Sequence, residues 1–373
     1  MQDVKSAYIH IPFCVKICTY CDFNKYFIQH QPVDDYLTSL ITEMSWVGKR
    51  SLSTMFVGGG TPTALSEIQL ERLLIAIQEQ FDISGEYTFE ANPDELTEAK
   101  VALLKKYGVN RLSLGVQTFD EALLKVLGRS HQRKDIYTAV TNARKYGILS
   151  ISIDLMYQLP GQTMAQFEES LDEAISLNVD HISSYGLILE KQTQFYNLYQ
   201  RGKLNEPDED LGAEMYHHMI EKLAAHGLHQ YEISNFAKVG HASAHNKVYW
   251  KNEPYFGFGA GASGYVGGVR YSNINPVQHY IEQISQNKKP IRIEEALTTQ
   301  EKIEEEMFLG LRMNEGVSKE VFYEKYGIQL ADYYHDELQQ LERKQLIHET
   351  ATHIALTDEG RVIGNYVFET FIK

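Results

Sequence analysis

Six strand-like segments alternate with helical ones through the first half of the chain, and that alternation restricts the fold more than any other feature. The strands read as Ala7–Ile11, Thr54–Val57, Tyr87–Glu90, Arg111–Leu114, Ser150–Leu155 and His181–Leu187. Helical spacing of apolar residues covers Pro32–Lys49, Ser66–Gln80, Thr97–Tyr107, Lys134–Tyr146 and Met164–Leu177. Ser66 with Gln69 three residues on has the form of a capping box, and Gly108 and Gly147 stand where helices end. Repeated βα units require parallel strands, which lie either in a doubly wound sheet or in a barrel.

Polar residues choose between these two. Gly58-Gly59-Gly60-Thr61-Pro62 follows the second strand, and Glu90 closes the third. Gln117 follows the fourth, Asp154 sits late in the fifth, and Tyr185 late in the sixth. All lie at carboxyl ends of strands, the face that carries the active site in barrel enzymes. A doubly wound sheet concentrates its ligand at one switch point instead. The expected fold is therefore α/β: a partial, six-unit (β/α) TIM-like barrel.

The loop after the first strand carries the chemistry. All three cysteines of the chain, Cys14, Cys18 and Cys21, fall there with the spacing C-x3-C-x2-C. Thiolates suit iron–sulfur clusters and zinc. On a four-iron cubane, three cysteines leave one iron open. A zinc site with His10 or His30 as fourth ligand is the alternative.

Past Glu190 the pattern changes. Asp208–His226 reads as an amphipathic helix, Tyr231–Ser234 as a strand, and the glycine- and aromatic-rich Tyr255–Tyr271 as a loop near a ligand. A boundary is expected near Lys288-Lys289-Pro290. This gives a barrel domain of residues 1–290, with an accessory segment 190–290, and a C-terminal domain of residues 291–373. Helices near Gln300–Arg312, Ser318–Tyr326 and Leu330–Lys344, a hairpin around Ala351-Thr352 and a terminal helix from Asp358 make the second domain winged-helix-like. Its 9 Lys+Arg against 17 Asp+Glu argue against DNA binding, as does the net charge of −15 for nucleic acid in general. No charged-then-apolar leader and no run of 18 apolar residues are found, and clustered free thiols fit a reducing compartment. These features predict a cytoplasmic protein without a membrane anchor.

Cys14, Cys18 and Cys21, with Tyr20 before the last, resemble the signature of radical S-adenosylmethionine (SAM) enzymes. The resemblance implies a [4Fe–4S] cluster on the three cysteines and SAM chelated at the fourth iron. Gly58–Pro62 resembles the glycine motif that faces the methionine part of SAM. Phe89-Glu90-Ala91-Asn92-Pro93, Leu114-Gly115-Val116-Gln117, Arg129 and Ile153-Asp154-Leu155 extend the likeness to the oxygen-independent coproporphyrinogen III dehydrogenase family. It implies SAM contacts from Tyr8, Tyr20, Gly59, Gly60, Thr61, Glu90, Gln117, Arg129 and Asp154. Arg129 would pair with a carboxylate, while Glu90 and Asp154 would accept from ribose hydroxyls or the amino group.

Two departures redirect the reading. The dehydrogenase pattern has a fourth cysteine two residues after the third, where this chain has Phe23, and only 13 residues precede Cys14. The chain is more similar to the HemW-type heme chaperones, marked by His-Asn-x-x-Tyr-Trp. That motif stands here as His245-Asn246-Lys247-Val248-Tyr249-Trp250. The likeness implies heme near His245, with Asn246, Tyr249 and Trp250 beside it, since histidine ligates heme iron and aromatic rings cover a macrocycle. It also implies heme-accepting proteins such as membrane-associated respiratory enzymes, and a flavodoxin- or ferredoxin-type electron donor. Oxidative decarboxylation of coproporphyrinogen III is the alternative activity.

Overall fold

A computed structural model of the chain describes residues 3–373. Six parallel strands follow one another in the sheet in chain order: β1 (Ser6–Ile11), β2 (Arg50–Gly59), β3 (Phe81–Ala91), β4 (Arg111–Gln117), β5 (Ser150–Tyr157) and β6 (His181–Gly186). Sequential order without a reversal is the barrel pattern, not the doubly wound one. The connecting helices are α1 (Val33–Ser45), α2 (Glu67–Gln80), α3 (Glu98–Lys106), α4 (Glu121–Val126), α5 (Arg133–Lys145) and α6 (Met164–Ser176). The short α4 lies outside the helical segments expected from apolar spacing. Ser66 and Gln69 close the expected capping box on α2, and Thr97 caps α3 through the Lys100 N–H.

Alternation along each strand separates two environments. Ala7, Ile9 and Ile11, Met55 and Val57, Phe89 and Ala91, Leu112, Leu114 and Val116, and Ile151, Ile153 and Leu155 face the helices and form one continuous core. The intervening residues are largely polar and bond to each other inside the sheet's curve. Thr54 meets Ser6, Arg111 meets Ser150 and Glu86, and Ser152 meets His181. Parallel strands covered on both faces usually read as unbroken apolar runs. Here the inner face is buried but polar, its side chains bonded to one another.

The sheet has nine strands and stays open. Phe256–Phe258 adds in parallel beside β1, and Asn235–Ala237 adds antiparallel to β6, followed by His229–Glu232. The expected loop 255–271 is thus corrected: Ser263–Val266 and Val269–Asn273 form a hairpin next to the added strand. Its glycines serve close approach, since a Cβ on Gly257 would lie 1.9 Å from the Ser263 carbonyl oxygen.

The expected boundary at residue 290 also moves. Ile291–Ala296 pairs with Val269–Asn273, so it belongs to the hairpin's three-stranded sheet. The separate C-terminal core begins at Ile303 and runs to Phe371. There Thr299–Gly310, Lys319–Tyr326 and His335–Arg343 surround a three-stranded sheet ordered Val317–Ser318, His353–Leu356, Ile347–Glu349. This helix–strand–helix–helix–hairpin order is that of a winged helix. No helix among the described residues is long and apolar enough to cross a membrane.

Candidate functional site

The carboxyl ends of the six strands converge on one cavity of about 350 Å³. Cys14, Cys18, Tyr20 and Cys21 line it, with Gly59, Gly60, Thr61, Glu90, Gln117, Arg129 and Asp154. Strand ends that are far apart in sequence can share a cavity only because the sheet curves.

Local bonds fix the cysteine loop. Phe13–Cys14 pairs with Tyr26–Phe27, which pinches the loop at its base. Thr19 ties its tip to the end of α4, its N–H reaching the Leu127 carbonyl at 3.1 Å and its hydroxyl the Val126 carbonyl at 3.1 Å. The glycines of β2 are required by this neighbour. A Cβ on Gly60 would lie 2.8 Å from the Phe13 carbonyl and 3.0 Å from the Cys14 sulfur, while Gly59, at φ +117°, lies against the His10 ring.

Donors point at two of the sulfurs. Thr61 Oγ1 donates to Cys14 Sγ at 3.6 Å, and Arg129 Nη1 to Cys18 Sγ at 3.4 Å. Burial pushes the Cys14 thiol up to about 12 and the Cys21 thiol upward as well. Thiolates there need compensation, which the sulfur-directed donors give in part and a cationic cluster core would complete. Three soft donors around one cavity fit a cubane, whose cysteines sit on separate irons. The zinc alternative fits less well. His10 has both ring nitrogens engaged, Nδ1 with the Tyr8 hydroxyl and Nε2 with the Asn24 carbonyl, and His30 is exposed. Among the described residues no three His, Cys, Asp or Glu side chains converge on a single ion.

The floor of the cavity holds two carboxylates. Burial, and then the nearby Asp154 charge, push Glu90 up to about 8; burial pushes Asp154 up to about 6. Gly59 N–H donates to Glu90 Oε2 at 2.9 Å, and Ser113 Oγ to Asp154 Oδ1 at 3.2 Å. Such a pair suits an ammonium group and hydroxyls. Arg129 Nη2 donates to Asn92 Oδ1 at 2.7 Å and to the Gly115 carbonyl. Gln117 is buried at φ +68°, where the ladder to β5 slips after Gly115. A non-glycine residue held there marks a constrained site.

Ser113, Asn92 and Met156 also line the cavity and escaped the sequence reading. The period-2 series Ser113, Gly115, Gln117 pointed to the first of them. Tyr8, expected among the SAM contacts, lines a second cavity of about 330 Å³. That cavity adjoins the first through Phe23, Gly59 and Glu90.

His245, the expected heme contact, stands away from this cavity with both ring nitrogens engaged. It is fully buried beneath β2. Its Nδ1 bonds Thr54 Oγ1 at 2.9 Å, its Nε2 bonds Tyr249 Oη at 2.9 Å, and its ring stacks on Phe56. Burial lowers its pKa to about 3. No nitrogen is free for iron. Trp250 points away, its ring under the Arg312 guanidinium at 4.5 Å, and Asn246 donates its backbone N–H to the hydroxyl of Ser243, the helix N-cap. The motif is a bracket between the barrel floor and the C-terminal unit.

The geometry has relatives. Residues 8–174 match the radical SAM superfamily and residues 297–363 the HemN C-terminal domain. Over 376 aligned residues the chain is 52% identical to heme chaperone HemW of Bacillus subtilis, covering 99% of both proteins. This chain belongs to the HemW family. The Lactococcus lactis heme chaperone HemW is 45% identical, with 100% of this chain and 98% of that protein covered. The solved structure of coproporphyrinogen III oxidase (HemN) from Escherichia coli, described as a radical SAM enzyme, superposes with a TM-score of 0.87. It covers 100% of this chain and 91% of that one at 24% identity, a likeness of fold. The HemN C-terminal match starts at residue 297, in agreement with the boundary drawn by the strand pairing.

Proposed function

We propose that this HemW-family protein binds heme and passes it to acceptor proteins. It holds one [4Fe–4S] cluster through Cys14, Cys18 and Cys21 and binds SAM at the iron those thiolates leave open. The observation that carries the reading is the full-length 52% identity to a protein named a heme chaperone. Phe23, in place of the dehydrogenase family's fourth cysteine, supports the same side. Held by these three cysteines, a reduced cluster would supply one electron to a bound SAM sulfonium.

The chain's own residues have plain tasks in this scheme. Thr61 and Arg129 stabilise the sulfurs they donate to. Glu90 and Asp154, fixed by the Gly59 N–H and Ser113, offer acceptors to an ammonium or to ribose hydroxyls. Arg129, locked by Asn92 and Gly115, keeps N–H groups for a ligand carboxylate. Tyr20 covers the cluster side of the cavity, and Gln117 the β4 side. The reading includes a cytoplasmic setting, membrane-associated respiratory enzymes as acceptors, and a flavodoxin- or ferredoxin-type electron donor.

Anaerobic reconstitution with ferrous iron and sulfide tests it, followed by heme titration and incubation with coproporphyrinogen, SAM and a reductant in parallel. Brown protein that binds heme and leaves coproporphyrinogen unchanged supports the chaperone. Vinyl product would transfer the assignment to the dehydrogenase.

A further inference from the structure

We propose that heme docks at the mouth of the cluster cavity, its ring against Phe23, Tyr185 and Ile188 and its propionates toward Lys16 and Lys25. The inference rests on the heme reading above and gives it a place. Phe23 is 65% exposed, Ile188 69% and Tyr185 45%, and all three line the same cavity. Single exposed apolar side chains are ordinary, but a convergent group at one opening marks a contact surface. Phe23 also lines the second cavity, so it stands on the seam between the two.

Charge names the occupant. Lys16 and Lys25 line the same cavity. Their ammonium groups rest on the backbone carbonyls of Arg129 and Cys21. Among the described residues neither lies within 4.0 Å of a carboxylate oxygen. In a chain of net charge −15, two such lysines beside an apolar rim match a flat ring that carries two carboxylates. Asp22 and Glu190 also line the cavity, so a ligand's carboxylates are turned away from them and toward the lysine ends. The rival location at His245 offers a fully buried ring with no free nitrogen; of its bonding partners Tyr249 reaches a cavity, the second one.

The test uses full-length protein with its cluster reconstituted, titrated by visible absorption with ferric heme and with ferric heme dimethyl ester. Ile188→Glu sets a carboxylate against the ring and weakens both probes by about tenfold or more. The double variant Lys16→Glu/Lys25→Glu weakens heme by a similar factor and leaves the ester, which lacks the charges, unchanged. Iron content and unfolding temperature verify each variant. Ile188 lies outside the cysteine loop, so that variant decides the matter even where the lysine pair disturbs the cluster. Wild-type protein that binds heme, with Ile188→Glu within twofold of it, overturns this location. Wild-type protein that takes up no heme overturns the chaperone reading itself.

Discussion

His245 and Thr54, 191 positions apart, share a hydrogen bond of 2.9 Å inside the floor of the barrel. The contact lies five residues before Gly59 on the same strand, roughly 16 Å below the cluster cavity at ~3.3 Å per residue. It turns the histidine of the His-Asn-x-x-Tyr-Trp motif into a strut. The imidazole links a strand, through Thr54, to its own helix, through Tyr249.

Removing that strut costs stability. His245→Ala leaves a void, strands the Tyr249 hydroxyl and leaves Thr54 with Ser6 alone, a loss of about 2–4 kcal/mol. Chemical denaturation measures it. Heme affinity of the folded variant stays within about threefold of wild type; a large selective loss of heme with unchanged stability would contradict the strut.

Acid acts through the same residue. His245 titrates near 3 in the fold against an ordinary 6.5, so the unfolded chain takes a proton that the native one refuses. Its contribution to stability is present above 6.5 and falls away as pH drops from 6.5 toward 3. His245→Gln flattens that part of the pH–stability curve.

Glu90 works in the opposite sense. Its carboxyl is raised from 4.5 to about 8, so the native state holds the extra proton between those values. Stability of the ligand-free protein therefore declines as pH rises from about 4.5 to 8. Glu90→Gln removes this slope, read as unfolding temperature against pH. A ligand ammonium seated on Glu90 reduces the slope in the wild-type protein, and adding SAM tests that placement.

The cysteines are expected to act as a set. Cys14→Ser, Cys18→Ser and Cys21→Ser each lower bound iron and sulfide after anaerobic reconstitution to well under half the wild-type content, because thiolate ligation carries the cluster. Iron analysis and the visible spectrum report it. Full iron retention in all three would end the cubane assignment.

Arg129 offers a separate reading of the site. Arg129→Lys keeps a positive charge but loses the planar fork that reaches Asn92, Gly115 and Cys18 together. SAM affinity drops by about ten- to a hundredfold, equivalent to ~1.4–3 kcal/mol. Equilibrium dialysis of SAM measures it, with iron content as the control.

The sequence by itself determined what short-range pattern encodes. Period-2 strands and amphipathic helices ordered the six βα units, and three cysteines within eight residues placed the expected cluster loop. Strand-end positions foretold Glu90, Gln117 and Asp154 on one cavity, because parallel strands in register bring their ends together. Tertiary structure decided the rest. Phe256–Phe258 is a strand only because β1 has a free edge, and Ile291–Ala296 belongs to the hairpin only because Val269–Asn273 pairs with it. His245 is a strut because Thr54 and Phe56 meet it from a strand far away in the chain. Contacts of that kind depend on which surfaces the folded sheet leaves unpaired, and no local periodicity carries that information.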